Sequence, residues 1–249
     1  MSKAPHFNAP STPLTLRFSS STGLPDIPDS DPQSNPRGIA IRFNLPEKDG
    51  RRQHTDIIAH STKYFPTRTG AEFLEFLKAA TGPDAANAVP EFLGRHPETV
   101  TFLQDPKPSP VSFATQHYFS VNAFKFIDSS GKETYIRYRV EPVLGVQTFS
   151  DEETKSKGKD YLFEELAERV GAGPFEFKIL AQVAEEGDVT DNCLVLWPEE
   201  RKVVELGTVK VEGIEGVEES LKAQKKVCFL RLHAIVGCEV CAKLHIVVS

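Results

Sequence analysis

The chain has 249 residues, of which 39% are hydrophobic and 26% are charged, so it can bury one substantial core. Its formal net charge of −6 argues against nucleic acid as the main partner, because phosphate binding requires clustered Lys and Arg. The apolar runs are far shorter than the roughly 20 residues that span a bilayer, and no signal-peptide pattern follows Met1. We expect one soluble, intracellular domain without a transmembrane segment.

Three strands are predicted before any helix. Over residues 12–19, apolar side chains at Leu14, Leu16 and Phe18 alternate with polar ones, which is typical of a strand with one buried face. The same alternation predicts strands over residues 38–45 and 55–61. Four prolines between residues 23 and 37 predict a loop.

A helix is predicted next, because Thr69 and Glu72 have the spacing of a capping box. It is expected to end at Gly82-Pro83. Two shorter helices are predicted over residues 88–93 and 97–103.

The second half of the chain favours strands again. Residues 118–127 and 133–143 predict a hairpin. A helix over residues 161–170 precedes a strand that begins at Pro174, and a last strand is predicted over residues 203–211. Seven strands and two well-supported helices indicate an α+β fold.

Several segments, taken in chain order, resemble the catalase family. They are Arg17-Phe18-Ser19, Pro36-Arg37-Gly38, Asp56 with His60-Ser61-Thr62, Phe65 with Arg68 and Phe73, the hairpin at 118–143, and Trp197-Pro198 with Glu205-Leu206-Gly207. The resemblance is strongest to the small catalase-related heme peroxidases. It implies an antiparallel β-barrel of eight strands, about seven of them present here, with flanking helices and a bound heme.

That resemblance implies a heme-dependent catalase or peroxidase that decomposes hydrogen peroxide or organic hydroperoxides. In the family a tyrosinate binds the iron, and a distal histidine moves the proton between the peroxide oxygens. Two alternatives stay open. One is a non-catalytic pseudoenzyme, or a subunit that pairs with a full-length paralogue through an open strand edge, and the other is a heme barrel that converts fatty-acid hydroperoxides.

Five residues match functional positions of the family. Arg17 matches the arginine that pairs with a heme propionate, and Ser19 matches the serine beside the distal histidine. Phe65 and Phe73 match aromatic residues of the heme pocket. His60, the candidate catalytic residue, falls where the large catalases have their distal asparagine. The alternatives are a solvated arginine, a polar barrel serine, ordinary core aromatics and a structural histidine.

Both ends of the chain depart from the family pattern. Sixteen residues precede Arg17, so the strand with the distal histidine is expected to be absent and the strand at 12–19 to have an unpaired edge. The resemblance covers a barrel domain over residues 1–229 and stops there. Residues 230–249 lack the helix with the axial tyrosine, and a frame change or a retained intron would explain this tail. We therefore expect weak or no activity.

The tail holds a Cys-x-x-Cys pair among His233, Cys238, Cys241 and His245. Thiolates and imidazoles can bind zinc, but this spacing fits no common zinc module, so we predict no metal site of this kind. The sequence is compatible with a cytoplasmic or peroxisomal location and with a homo-oligomer.

Overall fold

The computed structural model describes residues 4–20 and 27–216 and the backbone of residues 243–244. They form one antiparallel sheet of nine strands. In chain order the strands are β1 (Leu14–Ser19), β2 (Gly38–Lys48), β3 (Arg51–His60), β4 (Tyr118–Phe119), β5 (Phe124–Ile127), β6 (Glu133–Pro142), β7 (Phe175–Val183), β8 (Val203–Val211) and β9 (Lys243–Leu244). Across the sheet the order is β8-β7-β6-β4-β3-β2-β1-β9, and β5 pairs with β6. This curled sheet with flanking helices confirms the predicted fold class.

The sheet curls around an apolar interior. The Phe18 ring of β1 stacks on Phe113 with centroids 4.9 Å apart, and it lies 6.1 Å from the Phe177 ring of β7. All three side chains are at most 2% exposed. Burying each ring contributes about 1.5–3 kcal/mol to folding, so contacts between the two halves of the sheet stabilise its curl.

The hairpin of β2 and β3 is closed by Asp49 and Gly50, whose φ angles are 54° and 69°. Two consecutive positive φ values are typical of a type I′ turn, whose twist matches that of the strands. Asp and Gly are among the few residues that adopt this conformation easily. The hairpin is longer than predicted, because the polar residues next to the turn continue the pairing.

The helices confirm the capping-box prediction. They are α1 (Gly70–Thr81), α2 (Ala85–Arg95), α3 (Pro97–Gln104), α4 (Asp151–Lys155) and α5 (Tyr161–Ala172). At α1, the Glu72 amide donates to Thr69 Oγ1 while the Glu72 carboxylate accepts from the Thr69 amide. The short helix α4 was not predicted, although Ser150 and Glu153 form a second capping box before it.

One predicted strand is divided in two. Tyr118 pairs with Val140, whereas Phe124 pairs with Ile136. The chain advances six residues from Tyr118 to Phe124 but only four from Ile136 to Val140 on β6, so it has two extra residues. The extra residues lie between β4 and β5 and form a bulge. The sequence predicted one continuous strand over residues 118–127.

The first strand is paired on both sides over part of its length. Leu14 and Thr15 pair with the backbone of Leu244 and Lys243. The edge that was predicted to be unpaired is therefore paired at Leu14 and Thr15, and for the rest of β1 the described residues include no neighbour besides β2. The predicted boundary after residue 229 lies outside the described residues, and so do His233, Cys238, Cys241 and His245. Within the described part of the chain, no helix has the length and apolar character to span a membrane.

Candidate functional site

The outer face of β1, β2 and β3, opposite the apolar interior, carries the candidate residues and is called here the site face. Because side chains alternate along a strand, residues that pair across these strands share a face. Ser19 pairs with Gly38, and Gly38 pairs with His60. A Cβ atom at Gly38 would collide with Ser19 Oγ, so the glycine lets the serine lie across β2 on the side of His60.

A second row on the site face contains Arg17. It pairs with Ala40, which in turn pairs with Ile58. Ile58 is 58% exposed, an unusual fraction for a large apolar side chain in the middle of a strand, and Ala40 is buried. The sheet therefore places a guanidinium and an exposed apolar side chain two residues along the strands from Ser19 and His60.

His60 is held from one side by Thr62. Its Nδ1 atom lies 2.7 Å from Thr62 Oγ1 and 3.3 Å from the Thr62 amide nitrogen, which donates to it. Burial lowers the pKa of His60 to about 4, so its imidazole is neutral near pH 7. The other ring nitrogen, Nε2, is buried and has no hydrogen-bond partner among the described residues.

Two phenyl rings lie beside this histidine. The Phe65 ring is 6.0 Å from the His60 ring and 5.0 Å from the Phe73 ring, measured between centroids. The capping box of α1 fixes the helix start that carries Phe73. The Phe65 amide donates to the Cys193 carbonyl at 3.4 Å, which attaches this segment to the chain before β8. The structure thus brings His60, Phe65 and Phe73 together, with Ser19 and Arg17 on the same site face.

The segment after β3 is anchored by Arg37, whose role sequence reasoning missed. Arg37 is fully buried, and it donates to the carbonyls of Ser34 and Asp29. Its backbone exchanges hydrogen bonds with Ser61, at 2.8 and 3.0 Å. The Pro36-Arg37-Gly38 sequence therefore fixes the chain next to His60, and two consecutive polar residues after a strand histidine were the signal that could have identified Ser61 and Thr62.

All five tyrosines of the chain are described, and the rings next to His60 and Phe65 are phenylalanines and not tyrosines. Tyr118 and Tyr161 donate to the carbonyls of Phe113 and Pro110 at 2.9 Å, and burial raises the pKa of Tyr161 to about 12. Tyr138 lies in the core, where burial also raises its pKa. Tyr64 donates to the Thr101 carbonyl, and Tyr135 is exposed on β6.

The site face and the two phenyl rings beside it contain residue types that one side of a heme would need. A flat apolar ring with carboxylates at its edge requires apolar surface and a cation, and the site face offers Ile58, Phe65 and Phe73 together with Arg17. The unpartnered Nε2 of His60 is a polar atom suited to a small ligand at the ring. No tyrosine ring contacts the His60 ring, and the described residues include no cluster of His, Cys, Asp or Glu that would hold a metal ion. The fit is therefore to the face of the ring and not to its iron.

Comparisons with known proteins agree with this architecture. The family model described as Catalase matches residues 1–210. A "Catalase-related peroxidase" of Mycolicibacterium paratuberculosis is 30% identical in an alignment of 217 residues that covers 86% of this chain and 67% of that protein. One of Synechococcus elongatus is 29% identical, over 84% of this chain and 62% of that protein.

A solved structure shows the same fold. A bacterial catalase superposes with a TM-score of 0.68 at 24% sequence identity, over 83% of this chain and 43% of the catalase chain. The chain therefore spans about two thirds of the two peroxidases and less than half of the solved catalase. From the family match over residues 1–210 and the first of these relatives, we conclude that this chain belongs to the catalase family.

Proposed function

We propose that this chain binds heme on its site face and reacts with hydrogen peroxide or organic hydroperoxides. Membership of the catalase family and the likeness to two proteins named catalase-related peroxidase support the peroxide chemistry. The chain spans 67% and 62% of those two proteins, so its own activity is an inference from the site.

The observation that carries the proposal is the buried, unpartnered Nε2 of His60 beside two phenyl rings. Buried polar atoms in folded proteins nearly always have a hydrogen-bond partner. A peroxide oxygen is a partner of the right size and polarity. The apolar side chains around it would exclude water, which strengthens any hydrogen bond made there.

Different residues of the site would contact different parts of the heme. Arg17 would hold a heme propionate, because a guanidinium keeps its charge and forms strong hydrogen bonds with carboxylates. Ile58, Phe65 and Phe73 would cover one face of the ring. When bound, heme supplies the iron at which the peroxide O–O bond is cleaved.

We infer that turnover by this chain is slow. An axial tyrosinate supports O–O cleavage in the family, whereas Tyr64, Tyr118 and Tyr161 of this chain donate to backbone carbonyls. The rate of peroxide consumption by the purified, heme-loaded protein tests this inference.

The experiment is a titration of the purified chain with hemin, followed by absorbance. We expect saturation at one equivalent and tighter binding by the native chain than by the Arg17→Leu variant. The loss of a charge-assisted hydrogen bond should weaken heme binding about tenfold or more. Arg51→Leu is the matched control, because Arg51 is an exposed arginine at the far end of β3.

The loaded protein is then mixed with hydrogen peroxide, an organic hydroperoxide and a fatty-acid hydroperoxide. Peroxide consumption with oxidation of a donor would support the proposal. Rearrangement of the fatty-acid hydroperoxide without consumption of a donor would support the lipid-converting alternative. If hemin does not saturate the chain, the non-catalytic alternative is favoured, and a mass measurement with and without a full-length relative tests pairing.

A further inference from the structure

We propose that Thr62 fixes His60 in the tautomer with the proton on Nε2, so that His60 donates a hydrogen bond to a peroxide oxygen and does not act as its base. The tautomer follows from the contacts of the protein alone. The donation to peroxide rests on the proposed function.

The Thr62 amide determines which nitrogen is protonated. A backbone N–H can only donate, and this one points at His60 Nδ1 from 3.3 Å. Nδ1 must therefore offer its lone pair, and the single proton of a neutral imidazole lies on Nε2. The Thr62 hydroxyl, 2.7 Å from Nδ1, can donate its proton to the same lone pair.

The Thr62 hydroxyl has a second possible acceptor, the Tyr64 carbonyl, which would allow the other tautomer of His60. The Thr62 hydroxyl also lies 3.2 Å from the Tyr64 carbonyl, so it could donate there and accept from a protonated Nδ1. In that arrangement the N–H of Thr62 and the N–H of His60 would point at each other. Because Thr62 is only 4% exposed, water has little access to its amide, which would be left without an acceptor. The arrangement with an unprotonated Nδ1 gives both the amide and the hydroxyl of Thr62 an acceptor.

The consequence concerns Nε2. With its proton in place, this atom is a buried donor without an acceptor among the described residues. A base would need a free lone pair at the same atom. His60, the candidate acid or base of the sequence analysis, can thus orient a ligand by donating a hydrogen bond from Nε2. Thr62 is its positioning residue.

The tautomer can be read without heme or peroxide. Nitrogen NMR of the histidine rings distinguishes protonated from unprotonated nitrogens, and His60→Asn identifies the His60 signals by removing them. We expect a protonated Nε2 and an unprotonated Nδ1. A protonated Nδ1 would overturn the proposal.

Two variants of Thr62 test its role. Thr62→Val removes the hydroxyl and keeps the amide, so the tautomer ratio should fall about tenfold, as expected for one hydrogen bond. Thr62→Ser keeps the hydroxyl and should restore the native ratio. Equal spectra for the native chain and Thr62→Val would show that the hydroxyl has no part in fixing the ring.

The donor role is tested by peroxide turnover of the heme-loaded protein. His60→Asn replaces the imidazole with an amide that can donate but cannot accept a proton near neutral pH, whereas His60→Leu can do neither. We expect His60→Asn to stay within about threefold of the native rate and His60→Leu to lose about tenfold or more. Equal losses in both variants would overturn the donor role. If the native protein binds heme but does not react with peroxide, the proposed function and the donor role both fail, while NMR still decides the tautomer.

Discussion

Mild acid should destabilise the fold through His60. Burial lowers its pKa from 6.5 to about 4, so below pH 6.5 the unfolded chain binds a proton that the folded chain does not. Stability then rises with pH between about 4 and 6.5 and is constant above. With these two values, the contribution lost between pH 7 and pH 5 is about 2 kcal/mol.

The assay is urea unfolding of the native chain and of His60→Asn at pH 7 and at pH 5. The substitution changes stability at both pH values, but only the difference between them reports on the histidine. We expect the native chain to lose about 2 kcal/mol more than the variant on acidification. His54→Asn is the control, because His54 is an exposed histidine on the same strand.

Two results would refute this reasoning. If the native chain and His60→Asn lost equal stability between pH 7 and pH 5, the imidazole would be protonated in the folded state, and its burial would not have the stated effect. If His54→Asn changed the pH dependence as strongly as His60→Asn, the effect would belong to surface charge. His6, whose pKa burial also lowers to about 4, acts in the same direction and is unchanged in both variants.

Three further substitutions test the packing that supports the site face. Thr69→Ala should destabilise the fold by about 1 kcal/mol in urea unfolding, because it removes half of the capping box with Glu72; no loss would mean that α1 does not depend on its cap. Gly38→Ala should cost about 1 kcal/mol, because Ser19 Oγ must turn away from the new methyl group, and the double variant with Ser19→Ala should recover most of that loss. Phe18→Ala should cost about 3–5 kcal/mol, and a value below 1 kcal/mol would contradict its place in the core.

Most of the fold could be predicted from local pattern. Alternation identified β1, because Leu14, Leu16 and Phe18 face one continuous core, and a capping box identified α1. The bulge between β4 and β5 could not be predicted in this way, because it depends on which β6 residues pair with each of these two strands. A similar irregularity occurs in β8, where Ile179 pairs with Gly207 and Leu180 with Glu205. Register shifts of this kind are set by the partner strand and leave little trace in the sequence of either one.

For the candidate site, the sequence could indicate strand positions but not side-chain contacts, and the roles of the residues stay predictions. Alternation along a strand and the family resemblance together pointed to Arg17, Ser19 and His60. The placement of the Phe73 ring depends on the start of α1, which the capping box predicted from the sequence. The two polar residues after His60 could have identified Ser61 and Thr62, but the contact of Thr62 with His60 Nδ1 could not be predicted, since it depends on how the chain turns after β3.

The two faces of β2 differ in a way that bears on the proposed function. Its inward residues Ile39 and Ile41 are large and at most 1% exposed, whereas its residues on the site face between Arg17, Ser19 and His60 are Gly38 and Ala40. A strand face that only meets water favours polar or β-branched side chains. Small residues at these two positions keep large β2 side chains out of the space between the guanidinium on β1 and the imidazole on β3, and Ser19 Oγ lies over Gly38. A flat ligand on the site face would therefore meet no large β2 side chain between Arg17 and His60, which is what the proposed function requires of this strand.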